Sequence, residues 1–263
     1  MSFENFKKWI FLSPHYDDIP LMHGGMLQEF SAENKLKDHD LQIKLIFSRS
    51  NYLEGDEQGN RDSSLKREQL ATGIRMVEDI NCLDEIIGKN NYQYSLLRKK
   101  ECVIRGKKFK EGEKFEFPQG SKETFNEEDR KIYQELVAEF QELLLVEAAV
   151  FCPIGMKQHV DHVITRDALL EAYQLNGTKN KSKIFFGEDL PYAGLADAND
   201  WAILNNFLVT IKTKVIDLPI NSQLKAERIM KHYVSQVTPS YQAGVLNRAA
   251  QINQCERVYA YLQ

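Results

Sequence analysis

Residues 8–18 read KWIFLSPHYDD, and the order of residue types along this stretch sets the architecture. Lys8 to Ser13 is an apolar run of strand length, and Ser13-Pro14 halts it. His15, Asp17 and Asp18 follow at once, so titratable side chains sit where a buried strand gives way to a loop. In open α/β sheets, ligand sites form beyond the carboxyl ends of strands. Working outward, Leu41 to Ser48 alternates and then turns continuously apolar, a second strand signal. Ala148 to Cys152, stopped by Pro153, is a third, and Ile184 to Gly187 and Lys214 to Leu218 are shorter ones.

Helical patterns separate these strands. Ser63 to Asp79 carries Leu65, Leu70, Ile74 and Val77 at one-face spacing, with Asp62 or Ser63 as its cap. Asn126 to Val146 has a cap in Asn126, acids in its first turn, and a stripe of Ile132, Leu136, Phe140, Leu143 and Leu144. Asp161 to Leu175 stops near Asn176-Gly177, and Asn221 to Val234 and Ala243 to Leu262 read as further helices. Alternating strands and helices predict a parallel sheet wrapped by helices. Lys89 to Lys122 breaks the pattern: it is basic, rich in Gly, Lys and Phe, and has no helical stripe. It reads as an insertion, in the form of a hairpin, over one end of the sheet.

Composition narrows the function classes. A length of 263 residues fits one large domain or two small ones. The net charge of −4 gives no basic surplus of the kind that nucleic-acid binding usually shows. No apolar stretch approaches the ~20 residues of a membrane span, and the four apolar residues after Lys7-Lys8 are too few for a signal peptide. The four cysteines are scattered without a Cys-x-x-Cys pair, which predicts reduced thiols and a cytoplasmic location. Gly24-Gly25 lacks the spacing of a dinucleotide loop.

A second titratable cluster, His159-Val160-Asp161-His162, follows the strand that ends at Pro153 and opens a helix. His159 and His162, three apart, share a helix face. With the first cluster they offer a mixed imidazole–carboxylate set, and three such ligands plus a water make a hydrolytic zinc site. A spare carboxylate could take a proton from that water, and a spare imidazole could give one up. Each cluster alone fits a local role equally well, because Asp17 or Asp18 can cap a helix and His159 can sit at a helix start.

The first cluster resembles the Pro-His-Pro-Asp-Asp-Glu signature of the PIG-L/LmbE-like metal-dependent N-deacetylases, and the second resembles their His-x-Asp-His motif. Lys66-Arg67-Glu68-Gln69 is similar to the family's Arg-Glu-rich helix. Lys225 to Gln236, with Tyr233-Val234-Ser235-Gln236, is similar to its Lys…Tyr-x-Ser-Gln helix. The four matches come in the family's order, from about Phe11 to Gln236. Three positions depart from it: Tyr16 stands for the usual Pro, Ile19 for the usual Glu, and His23 for a small residue before Gly24-Gly25.

The resemblance implies a Rossmann-like three-layer α/β/α domain spanning residues 1–263, with a mainly parallel sheet and the basic insertion at 89–122. It implies that His15, Asp18 and His162 hold a divalent metal, zinc or alternatively ferrous iron, since imidazole–carboxylate sets accept both. It casts Asp17 as the general base, His159 as the electrostatic and acid partner, Asp161 as the carboxylate that pairs with His159, and Arg67 as a substrate contact. The implied substrate is an N-acetylated amino sugar or glycoconjugate. The departures at Tyr16 and Ile19 motivate an alternative, a non-catalytic metal- or sugar-binding member of the same fold; a metal-dependent hydrolase of another amide is a third reading. Lys99, Lys100, Arg105, Lys107, Lys108 and Lys110 read either as a solvated hairpin or as a lid that meets an anionic substrate, such as a sugar carrying phosphate.

Overall fold

A computed structural model describes residues 2–53, 64–106 and 118–263. Seven strands form one sheet: β1 (Lys8–Ser13), β2 (Asp40–Leu45), β3 (Tyr92–Leu96), β4 (Ala149–Pro153), β5 (Lys183–Gly187), β6 (Thr213–Pro219) and β7 (Cys255–Tyr261). Their spatial order is β3-β2-β1-β4-β5-β7-β6. The first five run parallel; β7 is antiparallel to β5, and β6 to β7. Seven α-helices accompany them among the described residues: α1 (Asp18–Ala32), α2 (Leu65–Ile87), α3 (Glu127–Leu143), α4 (Val160–Asn176), α5 (Ala198–Ile211), α6 (Ser222–His232) and α7 (Pro239–Gln251). Helices α1, α2 and α6 pack together as one group and α3 packs on α4 as another, giving the expected three-layer α/β/α arrangement.

The strand order places the site. The chain builds β1, β2 and β3 outward in one direction, then returns to lay β4 on the other side of β1. Such a reversal leaves a crevice at the carboxyl ends of the two central strands. The loops that follow β1 and β4 carry the two titratable clusters, so both open into this crevice. Below it the sheet is fixed by an aromatic core in which Trp9, Phe11 and Phe151 are fully buried and Phe11 stacks on Phe151 at 4.6 Å.

Several expectations need correction. Residues 243–262 are not one helix: α7 ends at Gln251, Asn253 and Gln254 turn in the left-handed region, and β7 follows. The aromatic and branched residues of Val258 to Tyr261 serve a buried strand between β5 and β6. Within the stretch read as a hairpin, Tyr92–Leu96 is instead a parallel edge strand paired with β2. Helix α2 starts later than expected, with Ser64 as its cap, and runs on to Ile87; Asp62 and Ser63 lie outside the described residues.

The expected apolar stripe of α2 is not its inner face. Leu65, Leu70 and Val77 are more than half exposed, whereas Ala71, Arg75, Glu78, Asp79 and Cys82 are buried. Charged groups can line a buried helix face only if each is paired. Here they are: Arg75 donates to Ser50 at 2.6 Å and to Glu101, Glu78 accepts from the backbone and hydroxyl of Ser235 at 2.8 and 2.7 Å, and Asp79 accepts from Tyr94 and Tyr233 at 2.5 and 2.6 Å. The Tyr-x-Ser-Gln segment after α6 thus completes a polar core under the crevice.

Candidate active site

The loop after β1 is shaped by its own side chains. The Ser13 hydroxyl donates to the His15 carbonyl at 2.7 Å, and Asp18 Oδ2 accepts the His15 backbone N–H at 2.7 Å. That closure turns the His15 ring inward and seats Asp17 at the start of α1. The loop after β4 bends through left-handed Gly155, Lys157 and Gln158, which brings His159 to the start of α4. His15, Asp17, Asp18, His159, Asp161 and His162 are all buried.

Three of these residues converge. His15 Nδ1 lies 3.3 Å from Asp18 Oδ2, His162 Nε2 lies 3.4 Å from the same oxygen, and the two nitrogens are 3.2 Å apart. A tetrahedral centre with arms of ~2.0–2.1 Å has edges of about 3.3 Å, so these donors already form one face of such a polyhedron. The second nitrogen of each ring is committed elsewhere. His15 Nε2 faces Asp161 Oδ2 at 3.0 Å, and His162 Nδ1 is held by Asp189 Oδ1. Asp189 also accepts the Met156 N–H at 2.7 Å. These outer carboxylates set the tautomers so that the inward nitrogens present lone pairs, as is usual around metal-binding histidines.

The electrostatics agree with that donor set. Burial works against charge on His15, but its hydrogen bonds to Asp161 and Asp18 outweigh burial and raise its pKa. Burial also opposes charge on His162, and Asp18 and Asp189 override it in the same direction. Burial would lift Asp18, yet His162 and His15 hold it below the usual carboxylate range. The space between the donors favours positive charge, and the residues present fit a divalent cation.

Asp17 is different. Burial, then the charge of Asp18, raise its pKa, while Arg75, whose Nη2 is 3.7 Å from Asp17 Oδ1, restrains the rise. Two adjacent acids therefore have opposite tendencies: Asp18 stays ionised, and Asp17 is shifted towards the range of a general base.

Asp161 and His159 depart from the expected pairing. The Asp161 carboxylate turns away from His159 and accepts from His15 Nε2 at 3.0 Å, from the Cys102 N–H at 3.0 Å and from Arg105 Nη2 at 2.6 Å. The contact with His159 runs through the backbone, where the Asp161 N–H donates to His159 Nδ1 at 3.2 Å. A ring that accepts at Nδ1 carries its proton on Nε2. Burial and the neighbouring His162 and His15 push the His159 pKa well down.

Cys102, His159 and Asp161 also bring donor atoms within 4.8 Å of one another. That group is the poorer metal site, because both Asp161 oxygens already accept strong donors.

No protein-family model matches the sequence, and no curated protein does. Solved structures match in shape. A zinc-inhibited form of teicoplanin deacetylase superposes with a TM-score of 0.68 at 16% identity, over 97% of this chain and 98% of that one. N,N'-diacetylchitobiose deacetylase from Pyrococcus horikoshii gives 0.55 at 16% identity, over 96% and 79%. The chain has the fold of PIG-L/LmbE-like deacetylases. The same fold is shared by a 4-carboxy-2-hydroxymuconate hydratase from Pseudomonas putida, at 0.53 and 12% identity over 98% and 97%, so fold alone does not fix the reaction.

Within this deacetylase fold, the departures from the family signature lie in the core. Tyr16 is fully buried, and its hydroxyl donates to the Ser48 carbonyl at 2.7 Å; Ile19 is 1% exposed. Neither belongs to the converging donors. Arg67 lies in the first turn of α2, where its Nε donates to the Asn51 carbonyl at 3.3 Å. The α2 arginine that faces Asp17 is Arg75, two turns further on.

Sequence reasoning missed Asp189, Arg75 and the inward role of Arg105. Asp189 had a signal, since it sits just beyond the carboxyl end of β5. The described cations of the expected lid are also accounted for: Lys99 reaches Glu135 at 2.5 Å, Lys100 reaches Glu128 at 3.2 Å, and Arg105 is wholly buried. Lys107, Lys108 and Lys110 lie outside the described residues. No helix among the described residues is long and apolar enough to cross a membrane.

Proposed function

We propose that this protein is a metal-dependent hydrolase that removes an acetyl group from the amide nitrogen of an amino sugar or glycoconjugate, with zinc as the metal. One observation carries the reading: His15 Nδ1, Asp18 Oδ2 and His162 Nε2 lie 3.2–3.4 Å apart, with Asp17 beside them. His15, Asp18 and His162 would hold the cation. When bound, it would supply a Lewis acid and make water nucleophilic near neutral pH.

Asp17 accepts the proton of the attacking water, and its raised pKa keeps it a competent base near neutrality. Arg75 keeps that carboxylate ionised and in place. His159, with Nδ1 accepting the Asp161 N–H and a ring nitrogen within 4.8 Å of those of His15 and His162, would keep its proton on Nε2 and donate a hydrogen bond to the oxygen that gains charge when the amide is attacked. Asp161 and Asp189 orient the two ligand histidines. Arg67, at the start of α2, would contact substrate. The acetylated-sugar substrate follows the neighbours whose structures this fold matches, teicoplanin deacetylase and diacetylchitobiose deacetylase.

The hydratase of the same fold favours a second reading, addition of water to a carbon–carbon double bond. Metal content and acetate release separate the two. The protein should carry one zinc per chain and release acetate from a panel of N-acetyl sugars, and the His15→Ala/His162→Ala variant should lose both. Zinc without acetate release, together with hydration of an unsaturated acid, would establish the second reading. A folded wild type that takes up no zinc would exclude the first reading.

A further inference from the structure

Arg105 is a buried cation beside the centre. Its side chain and both of its carboxylate partners are fully buried. It belongs to no strand or long helix but to the turn that leaves β3 towards residue 106. Its Nε donates to Asp129 Oδ1 at 2.8 Å, its Nη2 to Asp161 Oδ1 at 2.6 Å, and its Nη1 to the Lys100 carbonyl, while the guanidinium lies 5.0 Å from the Phe47 ring centre. Burying a guanidinium is expensive unless its donors are matched. Here three edges of the fork are used.

The anchor at one end is rigid. Asp129 is fixed in the first turn of α3, where its Oδ2 accepts the Asn126 N–H at 3.0 Å. From there the contacts run in one line: α3, Arg105, Asp161, His15. Asp161 Oδ1 is taken by Arg105, which turns Oδ2 to meet His15 Nε2 at 3.0 Å. That contact leaves His15 Nδ1 facing Asp18 and His162.

We propose that Arg105 is a positioning residue of the metal centre: it holds the Asp161 carboxylate against His15 Nε2 and so fixes the ring with Nδ1 towards Asp18 and His162. The inference rests on the reading of His15 as a metal ligand. It makes part of the segment read from sequence as a solvated hairpin or a substrate lid a structural part of the centre. A lysine cannot replace the arginine, because an ammonium has no planar fork to span Asp129 and Asp161 together.

The test is a double-mutant cycle read as zinc dissociation constants, by competition with a chromophoric chelator, with urea unfolding of each variant as the control for folding. Arg105→Met should weaken zinc binding about 10–100-fold, the range seen when outer partners of ligand histidines are removed. Arg105→Lys should not restore it. In the Asp161→Asn background, Arg105→Met should add nothing, because the route from Arg105 to His15 among the described residues runs through the lost carboxylate.

A residue that merely supports the fold would add its full loss in both backgrounds, and that result would overturn the proposal, as would an Arg105→Met protein that binds zinc like wild type. If Arg105→Met alone does not fold, Asp161→Asn/Arg105→Met, which removes the cation together with one of its two buried carboxylate partners, is compared with Asp161→Asn. Equal affinities support the proposal and a further loss overturns it. A wild type without zinc affinity would overturn the metal reading itself and this inference with it, whereas zinc binding indifferent to Arg105 would overturn this inference alone.

Discussion

His23 gives the sharpest stability prediction. It lies in the middle of α1, is 0% exposed, and packs against Phe11 and Phe151 with ring centres 5.6 and 5.2 Å away. Neither ring nitrogen has a hydrogen-bond partner among the described residues. Burial, assisted by the charge of Lys225, lowers its pKa from 6.5 to about 3. The folded pKa is below the unfolded one, so between these values the unfolded chain binds the extra proton. The associated stability is complete above pH 6.5 and is lost as pH falls towards 3.

The slope is about 1.4 kcal/mol per pH unit inside that window, so going from pH 7 to pH 5 costs about 2 kcal/mol through His23 alone. His23→Leu removes the titrating group and both orphaned nitrogens. Urea unfolding of metal-free protein, followed by circular dichroism at pH 7 and pH 5, compares variant with wild type, so that every other titrating group cancels. The stability difference should move by about 2 kcal/mol in favour of His23→Leu on acidification. A difference that stays constant between the two pH values would refute the reasoning.

Other consequences concern the outer shell and the packing. Asp189→Ala frees His162 Nδ1 and should weaken zinc binding by about 10–100-fold in chelator competition; it also strips the buried Met156 N–H of its acceptor, which should cost about 1–3 kcal/mol in urea stability. Glu256→Gln breaks a buried pair in which Oε2 takes Lys225 Nζ at 2.5 Å and the Gly25 N–H at 3.0 Å; it should cost about 3–5 kcal/mol in the same unfolding assay. Gly194→Ala puts a methyl group 1.8 Å from the Gly244 carbonyl oxygen, so α7 and the turn at Tyr192–Leu195 must separate. Its thermal midpoint should fall, by an amount matching at least the about 1–3 kcal/mol of ordinary overpacking.

The parts of the molecule that were legible in the sequence are those whose signals are local. β1, β4 and β5 are continuous apolar runs bounded by Pro or Gly, and α3 announces itself through Asn126 and three acids. The two titratable clusters are contiguous and sit at strand ends, so their meeting followed from the order of elements.

What stayed hidden depends on partners distant in the chain. Arg105 and Asp161 are 56 residues apart, and Asp189 and His162 are 27 apart. No spacing rule links such pairs. The inner face of α2 was misread because hydrophobic periodicity assumes that charged residues face water, whereas Arg75, Glu78 and Asp79 find buried partners on other elements. β7 fell inside the stretch read as one helix to Leu262, and its buried Glu256 has its partner, Lys225, 31 residues away on α6.

The most direct test of the central claim is acetate release by zinc-loaded wild type beside zinc-loaded Asp17→Asn, with zinc content measured on the same samples. The account predicts one zinc per chain in both proteins, acetate release by wild type, and a loss of at least about 100-fold in the variant, the scale of a removed general base. Equal acetate release by the two proteins at equal zinc content would contradict it.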